Sequence, residues 1–554
     1  MSATAVQAGL FVIVVALLVK PVGAYLERVF ERRQTFLDAV LLPIERLIHR
    51  VVGIDCLREM DWKRYSFAFD IFGLVNIVLL YVALRAQAFF PWFFPKVMTT
   101  PMTQDLAANT AVSFATTTTW QAYAGETTMS YFSQLLLAGQ NFLAGAAGLA
   151  VGVAFIRGYA RERTTEIGNF WVDLIPAVFW VLLPISLVGS LFLIAQGVPM
   201  NFRPYTVGHT LEGATQVIAQ GPVAALELIK NLGTNGGGFF NANGAHPFEN
   251  PTPLTNFIEL LAIAVIPAAL THTFGRMVGR PRDGWVIFWT MTALFVAGLL
   301  VCNWAEARAH PALADQIVGG NMEGKEVRFG IGSSALAAVV TSNGATGSYN
   351  SMHDSFQPLG VIVPLVNMLL GEIVYGGLGS GLYSMIFVAL VALFVGGLMV
   401  GRTPQHLGKQ IGPPEMKIIA VYTLVGPVTV LALTALAVVT NAGAHGFTEI
   451  LFAYASAFAN NGQSMAGLSA NNIFYNITTI VAMLTGRYVL AVLALALAGR
   501  FAAVSRRAPS RGAMPSDGIT FGVLLTGTAL LVGALNFLPA LAMGPVVEHF
   551  SMHP

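Results

Sequence analysis

The stretch NLGTNGGGFFNAN, residues 231–243, sets Gly233, Gly236, Gly237 and Gly238 among small polar residues between two apolar runs. Alone, it reads as ordinary turn chemistry. Three other stretches stand in the same position relative to their flanking apolar runs: FATTTTWQAYAGE (114–126), VVTSNGATGSYNSMHD (339–354) and FANNGQSMAGLSANN (458–472). Taking Thr118, Gly236, Gly344 and Gly462 as equivalent points spaces the copies by 118, 108 and 118 residues. That is the period of a span, a re-entrant loop and a second span. The marker glycine follows an asparagine in three copies (Asn235, Asn343, Asn461), and threonines replace both in the first. Four units of helix, short loop and helix around one axis describe a pore folded from a single chain.

Composition agrees. The 554 residues are 55% hydrophobic and only 10% charged, where a soluble domain carries roughly 25% charged residues. A cytosolic enzyme, a nucleic-acid binder and a disordered scaffold are set aside, and the bilayer is the expected surrounding. Cys56 and Cys302 are too few and too far apart for a disulfide framework or a metal clip. Apolar runs long enough to cross a membrane stand near 4–24, 67–88, 130–156, 170–196, 254–274, 284–304, 359–400, 418–441, 472–500 and 516–540. No basic n-region precedes the first, so it reads as a retained span rather than a signal peptide. The seventh is too long for one helix and breaks at GEIVYGGLGSGLY (371–383), a break tolerated only inside protein or beside a watery cavity. The fold class expected is an all-α polytopic membrane protein with about ten transmembrane helices and four pseudo-repeats.

Lysine and arginine placement gives the orientation. Alternate loops, with Lys20, hold 22 of the 30 basic residues, and by the positive-inside rule these loops are cytoplasmic, which puts both termini outside. The organisation expected is an N-terminal span with a basic amphipathic cytoplasmic segment (1–66), repeats at 67–160, 161–280, 281–402 and 403–515, and a C-terminal span (516–554). The segment 25–64 is amphipathic and is expected on the cytoplasmic membrane face or against a partner.

What the loops lack is informative. Residues 115–121, 233–239, 341–347 and 459–465 contain no Asp, Glu, His or Cys. A calcium filter would show acidic rings and a transition-metal site imidazole or thiolate, whereas neutral carbonyl oxygens replace the hydration shell of a monovalent cation. Potassium, more cheaply dehydrated than sodium, is the natural candidate. The preceding short helices aim their negative carboxyl ends at the ion. No phosphate-binding GxxxxGK[ST] and no aspartyl-phosphate string occur, so the chain is expected to bind no nucleotide and to hydrolyse no ATP alone. Something must block the cytoplasmic half of such a pore, and the broken seventh span with Glu372 and Gly379 is the expected gate. Arg487, a charge inside a span, is expected to form a barrier below the filter, and Gln121 to shape the outer vestibule. His353 and Asp354 look like a catalytic dyad in isolation and are expected to be structural.

The strings NLGTNGGGFFNAN, HPFENPTPLTN (246–256), MHDSFQPLG (352–360), NNGQSMAGLSANN (460–472) and VGRTPQHLGK (400–409) resemble the potassium-binding A subunits of the bacterial Kdp potassium-transporting ATPases, end to end. The resemblance implies a member of the potassium transporter superfamily in the bacterial inner membrane. It also implies an extracytoplasmic selectivity filter, a P-type ATPase subunit that hydrolyses ATP, and two small accessory membrane subunits. From the family's motif the filter positions carry over to Thr117, Thr118 and Thr119; Thr234, Asn235, Gly236 and Gly237; Ser342, Asn343, Gly344 and Ala345; and Asn460, Asn461 and Gly462. The first loop departs from the family, with threonine where asparagine is expected, and the third has Asn343 where a cysteine is familiar. Two rival readings stay open: a stand-alone Trk- or Ktr-like channel or symporter, and an intramembrane enzyme using His353 and Asp354 or Glu372.

Overall fold

Ten helices among the described residues are long and apolar enough to cross a membrane. The computed structural model describes residues 3–89, 99–308, 319–399, 401, 404–440, 446–506 and 514–552. Lys96, Arg402, Arg507 and Arg511, which entered the charge pattern, lie outside the described residues. The helices are α1 (Ala3–Phe30), α2 (Asp38–Val52), α3 (Trp62–Arg85), α4 (Gln104–Ala115), α5 (Tyr131–Ala160) and α6 (Phe170–Ala195). Next come α7 (Val223–Leu232), α8 (Pro253–Met277), α9 (Pro281–Glu306), α10 (Gly330–Asn343) and α11 (Pro358–Leu369). The chain closes with α12 (Ser380–Met399), α13 (Pro413–Thr440), α14 (Gly446–Ala459), α15 (Ile473–Ala503) and α16 (Ile519–Met552).

Connections between spans alternate in kind. Those after α1, α5, α8, α12 and α15 carry the basic loops, and in those after α3, α6, α9 and α13 a helix of 10–14 residues, α4, α7, α10 or α14, stands directly before a loop. Each short helix is followed by one glycine-, threonine- or asparagine-rich loop. Local sequence fixes several starts: Thr103 caps α4 through the Leu106 amide, Thr252 and Thr255 form a reciprocal cap on α8, and Asn472 caps α15.

Small residues set the centre. In α5, Gly148, Gly152 and Gly158 lie against Leu378, Gly379 and Ala498, so close that a Cβ on any of the three would sit within 2.7 Å of backbone. Close approach of this kind is how helices pack where lipid removes the hydrophobic drive. The most apolar stretch of α5 is 83% buried, against 17% for those of α1 and α13, which face outward. The seventh apolar run divides as its glycines require. Helix α11 ends at Leu369, α12 begins at Ser380, and Gly371, Glu372, Tyr375 and Gly379 between them have positive φ. Only α12 is long enough to span. Three two-stranded pieces, the longest Thr206–His209 with Thr215–Ile218, are the sheets among the described residues.

Candidate functional site

Each short helix ends on a residue of ordinary helical φ. Thr116, Gly233 and Gly344 are the caps of α4, α7 and α10, at φ −94°, −77° and −81°, and α14 ends at Ala459. Two left-handed residues then follow with one residue between them. They are Thr117 and Thr119 (φ 67° and 47°), Thr234 and Gly236 (49° and 102°), Ala345 and Gly347 (51° and 63°), and Asn460 and Gly462 (59° and 92°). A backbone of alternating hand turns its carbonyls to one side and its amides to the other. The amides run back to the helix: Asn235 N, Thr346 N and Asn461 N donate to the carbonyls of Lys230, Thr341 and Ser456 at 2.9, 3.2 and 2.9 Å. In the first copy the Thr119 amide does this, donating to Ser113 O at 3.0 Å. Helix-end carbonyls are thereby satisfied.

This conformation revises the register read from sequence. Gly344 is a helix cap, Ser342 and Asn343 lie in the last turn of α10, and the third loop runs Ala345, Thr346, Gly347. In the first copy the equivalent of Gly236 is Thr119, not Thr118. Thr346 and Gly347 were missed because SNGATG offers two glycines and the first follows an asparagine, as in the other copies. The signal was the left-handed pair itself, which demands glycine at its second position in three copies of four.

The four loops close on one another. A Cβ on Gly236 would stand 1.5 Å from Thr346 O, on Gly347 2.1 Å from Asn461 O, and on Gly462 2.0 Å from Thr118 O. The circuit closes where Thr119 donates its hydroxyl to Asn235 O at 2.6 Å. Each loop thus lies against the middle carbonyl of its neighbour, and Thr118, Asn235, Thr346 and Asn461 supply four equivalent oxygens. No carboxylate, imidazole or thiolate belongs to these loops. Thr117 and Thr119 hold a conformation that costs a β-branched residue about 1–2 kcal/mol, a strain the surrounding structure over-determines.

Buried polar groups brace the ring from behind. Gln121 accepts from Gly238 N at 2.8 Å and donates to Gly238 O at 3.1 Å, clamping the outer end of the second loop. The Asn235 amide donates to Asn141 O, and that of Asn460 to Thr118 Oγ1 and Met483 O. Lys230, fully buried in α7, pairs with Glu227 at 2.7 Å and Glu249 at 3.0 Å, while Glu249 also accepts from Phe240 N. A second buried pair, Lys325 with Glu306 at 2.8 Å, holds the segment beyond the third loop, where Glu306 accepts from Gln357 N. The sequence reading missed both clusters: Glu227 lies one turn from Lys230 in α7, but Glu249 and Glu306 reach their lysines from other segments.

Thr117, Ala345 and Asn460, at one end of three loops, line a cavity of about 120 Å³ together with Glu372 and Arg487. Thr234 is occupied elsewhere, its hydroxyl accepting from Leu378 N. Glu372 accepts from Asn461 Nδ2 at 2.8 Å. Arg487 sits in a π-bulge, Thr485–Val489, that lets Gly486 approach Phe458 O; it donates to Ala144 O at 2.8 Å and lies over the Phe69 ring. It makes no ion pair among the described residues. Gly379 is placed otherwise than expected of a gate: it packs on Gly148 and Gly152 and does not line the cavity. His353 is walled by Tyr349, Phe356 and Phe452, and Asp354 accepts from Gly467 N at 2.6 Å. The two side chains have separate surroundings.

Ten helices of membrane-crossing length and apolarity among the described residues, and a ring of backbone oxygens closed by four loops, define a multi-pass membrane protein of channel-like build. A family model described as the potassium-transporting ATPase A subunit matches residues 9–550. The chain belongs to that family. It is 52% identical to a potassium-transporting ATPase potassium-binding subunit of Methylorubrum extorquens, over 98% of this chain and 97% of the relative. It is 50% identical to the subunit of the same name from Granulibacter bethesdensis, over 98% and 97%. Among solved structures it resembles the potassium transporter TrkH from Vibrio parahaemolyticus, with a TM-score of 0.53 over 89% of this chain and 98% of that one at 13% identity, a likeness of fold.

Proposed function

We propose that the chain is the potassium-binding and translocating subunit of an ATP-driven potassium uptake complex. Extracytoplasmic potassium enters the ring from the Gln121 side and is held by the carbonyls of Thr117–Thr119, Thr234–Gly236, Ala345–Gly347 and Asn460–Gly462. It then passes to a P-type ATPase subunit, with two small membrane subunits completing the assembly. The observation that carries this reading is the closed circuit of four neutral oxygens from one chain, which suits a dehydrated monovalent cation rather than a divalent one. The names borne by relatives at about half identity support potassium as the ion and an ATPase as its partner. Charge placement supports cytoplasmic basic loops with both termini outside, and the bacterial sources of the relatives support a bacterial inner membrane. The four repeats then correspond to residues 67–160, 161–280, 281–402 and 403–515.

Below the ring, the cavity bounded by Glu372 and Arg487 receives the ion. Its lining extends to Tyr422 on α13 and Phe537 on α16, so a sideways exit toward a partner fits better than a straight path to the cytoplasm. The guanidinium of Arg487 opposes a cation moving straight down.

Purification from native membranes tests the reading. A co-purifying P-type ATPase chain with potassium-stimulated hydrolysis is expected, and the homogeneous chain alone should hydrolyse nothing. A regulatory ring in place of the ATPase would establish the stand-alone channel instead.

A further inference from the structure

Three corners of the ring are glycine and the fourth is not. Gly236, Gly347 and Gly462 leave the neighbouring carbonyl uncovered, and a Cβ there would fall 1.5–2.1 Å from it. At the fourth corner Thr119 keeps its Cβ in a left-handed conformation and turns its hydroxyl proton onto Asn235 O, 2.6 Å away. Among the ring oxygens, Thr118 O, Thr346 O and Asn461 O meet a bare glycine, and Asn235 O alone meets a hydroxyl.

A hydroxyl proton on a carbonyl occupies one lone pair and sets positive charge beside the oxygen. Toward a cation that oxygen presents a weaker field, and its position is fixed by the bond. Field strength and mobility of the coordinating carbonyls are the two quantities that govern ion preference in such a ring. Resting on the filter proposed above, we infer that Thr119 is a positioning residue that sets the filter's affinity: its hydroxyl engages the Asn235 carbonyl, so the ring offers three free oxygens and one restrained. The ring therefore binds potassium less tightly than four free carbonyls would, and one rigid corner sharpens its discrimination by size.

The assembled complex, assayed for ion dependence with potassium, rubidium and ammonium, tests this. Thr119→Gly gives the fourth corner the residue that the other three already have. It should lower the half-saturating potassium concentration roughly two- to tenfold, the range spanned by one neutral hydrogen bond, and let rubidium compete better. Thr119→Ala, which removes the donor but keeps the Cβ, should move the same way and serves if the glycine variant does not assemble. Thr119→Ser retains the donor and should behave as the parent. Parental half-saturation in the glycine and alanine variants, or a serine variant shifted as far as the alanine one, overturns the assignment. Gly462→Ala, run in parallel, separates the two levels of inference. If it weakens potassium binding while the Thr119 variants do nothing, only the restraint fails. If it too leaves ion dependence unchanged in assembled complex, the filter reading fails.

Discussion

The side-chain amide of Asn461 donates to the Glu372 carboxyl over 2.8 Å and to Thr341 O over 3.0 Å, tying the fourth loop of the ring both to the break between α11 and α12 and to the third short helix. Removing the Glu372 acceptor should loosen the carbonyl next to that amide. Glu372→Ala is expected to raise the half-saturating potassium concentration about tenfold, the effect of losing one buried hydrogen bond to an acid, or about 1.4 kcal/mol. Glu372→Gln, which retains an acceptor oxygen, should lose less. Identical ion dependence in parent and alanine variant would detach the break from the ring.

Gly344 and Gly347 are three residues apart and face different neighbours. Alanine at 347 needs a left-handed backbone and a Cβ 2.1 Å from Asn461 O, whereas alanine at 344 fits its φ and strikes the Ile263 methyl at 2.4 Å. Gly347→Ala should change ion dependence by about tenfold or more in assembled protein, since the carbonyl it displaces is one of the four proposed to hold the ion. Gly344→Ala should lower thermal stability and leave ion preference parental. The opposite pattern would restore the register read from sequence.

Burial pushes the His353 imidazole down to about 4, with Lys325 a smaller contributor, and both ring nitrogens are buried without a hydrogen-bond partner. The folded protein keeps the ring neutral while the unfolded chain takes up a proton below its ordinary value of about 6.5. Stability from this group is therefore whole above about pH 6.5 and drains as the pH falls toward 4, by about 3 kcal/mol in all. The thermal midpoint of the purified protein should fall between pH 7 and pH 5, and His353→Phe should flatten that fall without loss at pH 7. A parental slope in the phenylalanine variant would place the acid sensitivity elsewhere.

Native Cys56 is exposed in the basic connection after α2, while Cys302 is buried in α9. Leu211, at the tip of the hairpin between α6 and α7, is fully exposed. With an impermeant thiol reagent, Leu211→Cys should label in intact cells, and the parent only after permeabilisation. Labelling of parent cysteine in intact cells would invert the orientation.

Much of the architecture was legible because a bilayer forces long apolar runs and because four similar loops recur at near-constant spacing. The break at 371–379 was legible from its glycines. Which glycine of the third loop belongs to the ring was not, because a helix cap and a ring corner both favour glycine. They differ only in what approaches them, and Asn461, far along the chain in the fourth loop, supplies that contact for Gly347. The contact between Lys230 and Glu249 was not legible for the same reason, since Glu249 reaches Lys230 only after the chain has turned through the second loop. Gly379 was legible as a glycine with a purpose, but the purpose is contact with α5.

The four corners of the ring are written in one reading frame, and this changes what a mutation can do. In a pore assembled from four identical subunits, a codon change alters every quarter at once, so an intermediate with one altered corner is never available. Here Thr119 differs while Gly236, Gly347 and Gly462 stay as they are. Selection can adjust one quarter of the ring by a single step and retain the other three, and the ring can drift away from symmetry without ever passing through a nonfunctional fourfold change.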